Sequence, residues 1–497
     1  MKQAIDQLME LQKRMKAYIY ASSMFEWDQA TGATKKGVAT RAIARSVLAG
    51  DIYAIQTSDE MKKVLEKLEA NKSDLDEKTL AMVRECRKDY DDNTKIPKEE
   101  VIKFTEIVAN AESAWEKAKD DNDFEFFKPH LEDIVSYTRK FIHYRGYNGH
   151  PYNRALDDFE PGMTVEMLDD FFTELKETIV PLVKRVMEKG SPVQDEFLHQ
   201  SFDTKEQEKL SIEILKELGF DFEGGMLKES EHPFTLDIGS DDVRLTTHYY
   251  EDDLMSALLS TIHEGGHGIY EQGVSRDYAF SVLEGGVSMA VHESQSRFFE
   301  NLIGRSKEYV HHILPKIQSY FPQLQGVSEE AFYRAINIAK PSLIRIEADE
   351  LTYCLHIMIR YEIEKALIAG EIEVGDLPRI WNEKYEEYMG MIPPTDSLGV
   401  LQDTHWSSAL FGYFPSYAVG TAYSSQILHA MKKDVDFETC VQNGEFEPIV
   451  KWLKEKIHQY GGLKSPAELM KNATGEDLNP KYFTDYLKKK FEAIYFK

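Results

Sequence analysis

The sequence predicts a mostly α-helical fold with one small β insertion, on three observations. Long stretches return an apolar residue every three or four positions between Gly, Pro, Asn or Asp stops. Only 233–238 and 243–247 are instead rich in β-branched and aromatic residues. No Pro/Ser-rich linker, low-complexity tract or internal repeat interrupts the 497 residues, so 1–497 reads as a single domain.

Along the chain, 111–145 has helical apolar spacing. Residues 239–242, Gly-Ser-Asp-Asp, suit the turn of a hairpin between the two β-rich runs. Residues 344–369 read as one amphipathic helix: Leu351, Leu355, Met358, Ile363 and Leu367 share a buried stripe, and Gly370 supplies the stop. Residues 480–496 read as a last helix with Lys488, Lys489 and Lys490 on a solvated face.

Composition excludes several classes. At 42% hydrophobic and 29% charged the chain is neither collagen-like nor disordered. No apolar run reaches the roughly 18 to 20 residues of a membrane span. The formal charge of -27 repels phosphate backbones and anionic lipid, so neither nucleic acid nor membrane is an expected partner. Lys2, Asp6, Glu10, Lys13, Arg14 and Lys16 break up the N-terminal apolar residues, so no export signal is expected. Cys86, Cys354 and Cys440 lack CxxC spacing and fit neither a disulfide framework nor a thiolate zinc site. The expected setting is a reducing cytoplasm.

The most informative segment is Thr261-Ile262-His263-Glu264-Gly265-Gly266-His267-Gly268, which follows the apolar-periodic run 254–262. Residues four apart share a helix face, so His263 and His267 can offer imidazole nitrogens to one tetrahedral ion. Glu264, beside that face, can take a proton from the attacking water and hand it to the leaving amine. An ordinary polar helix face could carry the same residues by chance. Gly265 and Gly266 argue against that, because each costs a helix interior about 1 kcal/mol relative to alanine. Close approach of substrate or of another backbone would explain them.

A third ligand must come from elsewhere if one position is to stay open for water. Glu293, 26 positions beyond His267, lies on a second apolar-periodic stretch through Phe298, Phe299 and Leu302. Arg297, one turn on, can pair with it; by spacing alone the two could equally be a surface ion pair. His292 and Glu284 compete for the same role.

These residues resemble the carboxypeptidase Taq family of metallocarboxypeptidases. The similarity extends to Asp242-Val243-Arg244-Leu245-Thr246, His292-Glu293-Ser294, Ile344-Arg345-Ile346-Glu347-Ala348-Asp349 and Gly399-Val400-Leu401-Gln402-Asp403-Thr404-His405-Trp406. Trp27-Asp28-Gln29-Ala30-Thr31, the segment from Phe159 to Thr164, and His232-Pro233-Phe234 are also similar, in family order over nearly the whole length. The resemblance implies a large helical zincin-type metallopeptidase fold with a deep substrate groove and a small β-sheet near the active site. It also implies Glu293 as third ligand, one divalent ion per subunit, zinc or cobalt, and a homodimer. The expected substrates are peptides with a free C-terminus.

The remaining motifs carry physical expectations. A carboxypeptidase needs a cation to hold the terminal carboxylate. Arg345 is the first candidate, with Asp349 one turn on to orient it; the alternative is an exposed ion pair. Arg244 is the other cation, unless it only pairs with Asp242. Residues 243–247 could supply a sheet edge to which an extended substrate adds. Tyr417, with Tyr423 as fallback, can donate to the oxyanion, although a packed tyrosine is the bland reading. His405 and His232 can donate to substrate or transition state, Trp406 is expected to pack, and Asp403 to orient a neighbour. The rival readings are a cytosolic oligoendopeptidase on a similar scaffold and a non-catalytic peptide-binding helical protein.

Overall fold

A computed structural model describes residues 1–496. Its centre is a helix of apolar periodicity, Leu254–Gly273, here the motif helix, which begins where the Asp253 side chain accepts the Ser256 N–H. On one side it packs against the sheet, and on the other against the ligand helix, Met289–Arg297. A further helix, Phe414–Met431, here the tyrosine helix, packs against the ligand helix in turn.

Two glycines allow these three helices to touch at the backbone. A Cβ on Gly266 would stand 2.7 Å from the Gln295 carbonyl oxygen and 2.8 Å from Ser296 Cα of the ligand helix. On Gly420 of the tyrosine helix it would stand 2.7 Å from the Ala290 oxygen and from Glu293 Cβ. The expected close approach is therefore by backbone at Gly266; Gly265 faces the flexible end of Leu215 instead.

The small sheet has strands β1 (Gly225–Glu229), β2 (Thr235–Gly239) and β3 (Asp242–Thr247), in the order β1-β3-β2. β2 and β3 form the expected antiparallel hairpin, with Leu236 opposite Arg244, and β1 adds in parallel to β3. One expectation is corrected: β3 lies in the middle, with its backbone groups committed on both sides, so the edges are β1 and β2, and β2 is the edge strand packed against the motif helix.

Three other expectations change. The stretch 111–145 divides into Lys98–Asp121 and Phe124–Arg145, because Asn122 adopts left-handed φ 55. The helix expected over 344–369 starts only at Tyr353; Arg345–Glu347 is a 3-10 turn and Ala348 is extended. Lys490 is not solvated. It is buried in the C-terminal helix, Lys481–Tyr495, and pairs with buried Glu350 at 2.5 Å, while Lys488 and Lys489 are exposed.

The main core runs through these central helices and the C-terminal helix. A second apolar cluster joins Leu8, Leu11, Leu65, Leu68 and Met82 of the N-terminal helices to Val274 and Leu283. Among the described residues no helix is long and apolar enough to cross a membrane, and the three cysteines are free.

The glycine contacts make a stability prediction. Gly420→Ala forces a methyl into backbone and should lower unfolding free energy by about 1–3 kcal/mol in urea titration. Gly50→Ala, in the exposed helix Val38–Gln56 with nothing within 4 Å, should raise it by about 0.5–1 kcal/mol.

Candidate metal centre

Glu293 divides its carboxylate between two tasks. Oε1 accepts Arg297 Nε–H at 2.7 Å, one turn along the helix as expected. Oε2 faces Nε2 of both motif histidines, 3.8 Å from His263 and 3.7 Å from His267. Ligand atoms of His263, His267 and Glu293 all lie within 4.8 Å of one another, and among the described residues no other such group occurs. A tetrahedral ion bound at about 2.0–2.1 Å spaces its ligands by roughly 3.3 Å, so small side-chain movements suffice. Two imidazoles and one carboxylate are also the donor chemistry of a catalytic zinc site. The residues fit a divalent ion.

Each histidine is aimed from behind. His263 Nδ1 is 2.8 Å from Glu300 Oε2, and His267 Nδ1 is 2.5 Å from His292 Nδ1. With both Nδ1 atoms engaged, both Nε2 atoms are left for the ion. Burial pushes His267 well below the ordinary imidazole range, reinforced by His292 and His263, so it stays neutral with a lone pair to give. Burial opposes ionisation of Glu300, but Arg297 and His263 overcome it and hold the carboxyl well below its usual range. Arg305 adds a further contact to Glu300 at 3.2 Å. His292, a competing ligand in sequence, lies behind His267 instead, away from the three converging groups. Glu284, the other competitor, accepts the Phe280 N–H and lies near Lys16, outside the cluster.

Glu264 is buried on the motif helix, where Thr235 Oγ1 of β2 donates to its Oε2 at 2.6 Å. Burial raises its carboxyl above the usual value, with His263 and Thr235 pulling the other way. Two adjoining cavities of about 630 and 380 Å³ open beside it, and both are lined by His263, Glu264, Glu293 and Tyr417. Tyr417 sits near Tyr413, with ring centroids 5.2 Å apart, and burial keeps its phenol protonated.

Arg345 lines the larger cavity. Its partner is Asp403, not Asp349: Nε and Nη2 donate to the two Asp403 oxygens at 3.0 and 2.9 Å. Asp403 also accepts Arg360 Nη2 at 2.5 Å. One carboxylate between two guanidiniums leaves one positive charge, and Arg360 is fully buried while Arg345 reaches the cavity. Asp349 lies on the same cavity wall but is spent on backbone, accepting the N–H groups of Lys340, Leu351 and Thr352.

Other expected site residues fall outside the cavities. Arg244 pairs with Asp242 through two hydrogen bonds of 2.7 and 2.9 Å and lies over the Trp27 ring, as its bland alternative held. Tyr423 is buried in the tyrosine helix, near Glu160 rather than the histidines. His232 is exposed; its neighbours Pro233 and Phe234 line the smaller cavity instead. His405 packs between the Phe414 and Tyr413 rings, and burial pushes it down to about 4, so it is neutral. Trp406 packs and donates its indole N–H to Glu364 at 2.8 Å.

Sequence reasoning missed Glu300, Glu271 and Thr235. Glu300 had a signal, two turns beyond Glu293, obscured because Phe298–Gly304 is π-helical and shifts the phase of the stretch.

A family model described as carboxypeptidase Taq (M32) metallopeptidase matches residues 7–491. Carboxypeptidase 1 of Bacillus subtilis is 46% identical over 488 residues, covering 98% of this chain and 97% of its own. Thermostable carboxypeptidase 1 of Thermus thermophilus is 36% identical and covers 99% of both chains. The crystal structure of an M32 carboxypeptidase from Deinococcus radiodurans R1 agrees with a TM-score of 0.96 at 35% identity, over 99% of each chain. The helical scaffold, the small sheet and the converging histidines thus accompany end-to-end similarity, and the chain belongs to the carboxypeptidase Taq (M32) family of metallocarboxypeptidases.

Proposed function

We propose that this chain removes C-terminal residues from peptides at the centre formed by His263, His267 and Glu293, with Glu264 as the proton carrier. The observation that carries the reading is Glu293 Oε2 standing 3.7 and 3.8 Å from the two Nε2 atoms beside a buried Glu264. Membership of a metallopeptidase family implies a divalent ion, and imidazole with carboxylate suits zinc or cobalt. Such an ion polarises the scissile carbonyl and acidifies water.

The chain's own residues do the rest. Glu264 takes the proton of the attacking water as the new C–O bond forms, then delivers it to the leaving amine nitrogen as the C–N bond breaks. Its raised carboxyl suits it to both steps, and Thr235 fixes which oxygen is presented. Tyr417 remains a protonated donor on both cavity walls, which supports it as the donor to the oxyanion. His405, neutral and 6.4 Å from the Tyr417 ring centroid, supports that ring rather than the substrate.

Arg345 accounts for the exopeptidase specificity. The unbalanced positive charge beside Asp403 suits the terminal carboxylate, and Arg345 is the member of the pair that faces the cavity. An extended peptide would add to the edge of β2, next to Phe234 and Thr235, rather than to β3. The enzyme is proposed to act as a homodimer in the cytoplasm, each subunit a single domain holding one ion.

Glu264→Gln should leave zinc binding intact and lower kcat by about 10²–10⁴-fold in steady-state assays. Chelation should abolish turnover in the parent, and zinc or cobalt should restore it. Loss of metal binding in Glu264→Gln would place that residue among the ligands instead.

Amidating the C-terminus of a test peptide should abolish cleavage by the parent. Arg345→Ala should lose roughly 10- to 150-fold in kcat/KM on the free acid, matching the ~1.5–3 kcal/mol of a charge-assisted hydrogen bond. It should also narrow the gap between acid and amide. Equal cleavage of both peptides by the parent would identify an endopeptidase.

A further inference from the structure

Three residues behind His267 have no part in the scheme above. His292 Nε2 is 2.6 Å from Glu271 Oε1, which also accepts the Gly286 N–H at 2.9 Å. The second Glu271 oxygen, Oε2, is buried without a hydrogen-bond partner among the described residues, and so is Asp237 Oδ1. The two carboxylates flank Gly285, where a Cβ would stand 3.0 Å from Asp237 Oδ2 and 3.8 Å from Glu271 Oε2.

The direction of each contact follows from one requirement. If His267 Nε2 is to keep its lone pair for an ion, the ring carries its proton on Nδ1. That proton points at His292 Nδ1, which must then accept. His292 in turn carries its own proton on Nε2 and donates to Glu271 Oε1. Burial and the nearby Glu271 charge raise the Asp237 carboxyl beside this pair.

We propose that His292 and Glu271 form an ordered hydrogen-bond relay that fixes the tautomer and ring orientation of His267, and that they are positioning residues for the metal centre. The proposal rests on the ligand set proposed above. It also explains why the two ligating histidines are supported differently. His263 leans directly on Glu300, a carboxylate compensated by Arg297 and Arg305. His267 reaches its carboxylate only through a second imidazole.

The relay is tested on the full-length chain by zinc competition against a fluorescent chelator, alongside thermal unfolding of the metal-free protein. His292→Phe keeps the ring and removes both nitrogens, and should raise the zinc Kd by roughly 10- to 100-fold. His292→Gln, whose amide oxygen can accept the His267 proton, should recover part of that loss. A purely structural role would lower the metal-free unfolding temperature and leave the Kd alone. A parent-like Kd in His292→Phe overturns the relay. Should that variant not fold, Glu271→Gln takes its place, with a raised Kd expected and a parent-like Kd overturning the proposal. His263→Ala separates the two readings. Lost zinc binding there with a parent-like Kd in His292→Phe overturns the relay alone, whereas retained binding in His263→Ala overturns the ligand set and the relay with it.

Discussion

Placing one glutamate between two imidazoles and an arginine requires three helices to approach more closely than side chains normally allow. Gly266 lets the motif helix meet the ligand helix, and Gly420 lets the tyrosine helix close from the other side, each where a Cβ would overlap backbone atoms. The ligand helix is thereby held from both faces, and Glu293 has little freedom to turn away. Gly266 in a helix interior is unfavourable in isolation. Its cost is offset by packing that no larger residue could reach, which is why a helix-weakening residue sits between the two motif histidines.

Charge around the centre is arranged in nearly neutral groups. Glu293 and Glu300 are matched by Arg297 and Arg305, which lets the two carboxylates face histidines while buried. The Arg345, Arg360 and Asp403 group instead carries one positive charge in excess beside the larger cavity. Against a chain of net charge -27, that excess can come only from local pairing. In the proposed reaction, the selection of a carboxylate end over a chain middle would then rest on one unbalanced guanidinium, not on the overall field.

Much of this was legible in sequence where the deciding contacts are local. His263, Glu264 and His267 follow from helical spacing, as does the Glu293–Arg297 pair four residues apart. The β2–β3 hairpin follows from its turn residues. Legibility fails where a contact depends on chain far away, or on a break in the helix. Arg345 takes Asp403, 58 positions on, because the segment before Tyr353 is not helical and Asp349 is occupied by backbone N–H groups at the helix start. The sheet order also hid the exposed edge: β1 precedes the hairpin, yet it pairs with the second hairpin strand and encloses β3.

The arrangement of β2 against the motif helix connects the two halves of the site. Thr235 and Asp237 are two apart on a strand and share one face. Glu264 and Glu271 are seven apart on the helix and share another. Thr235 donates to Glu264, and Asp237 lies across Gly285 from Glu271, the carboxylate that contacts His292 behind His267. A one-residue slip of β2 would withdraw both partners at once, since every side chain on the strand would change face. The strand is kept in register by its antiparallel pairing to β3. β3 is in turn held by its parallel pairing to β1 and by the Trp27 ring of the N-terminal helix against the Arg244 guanidinium. Trp27, which touches neither cavity, thus bears on the proposed chemistry by packing against the sheet whose β2 strand contacts Glu264.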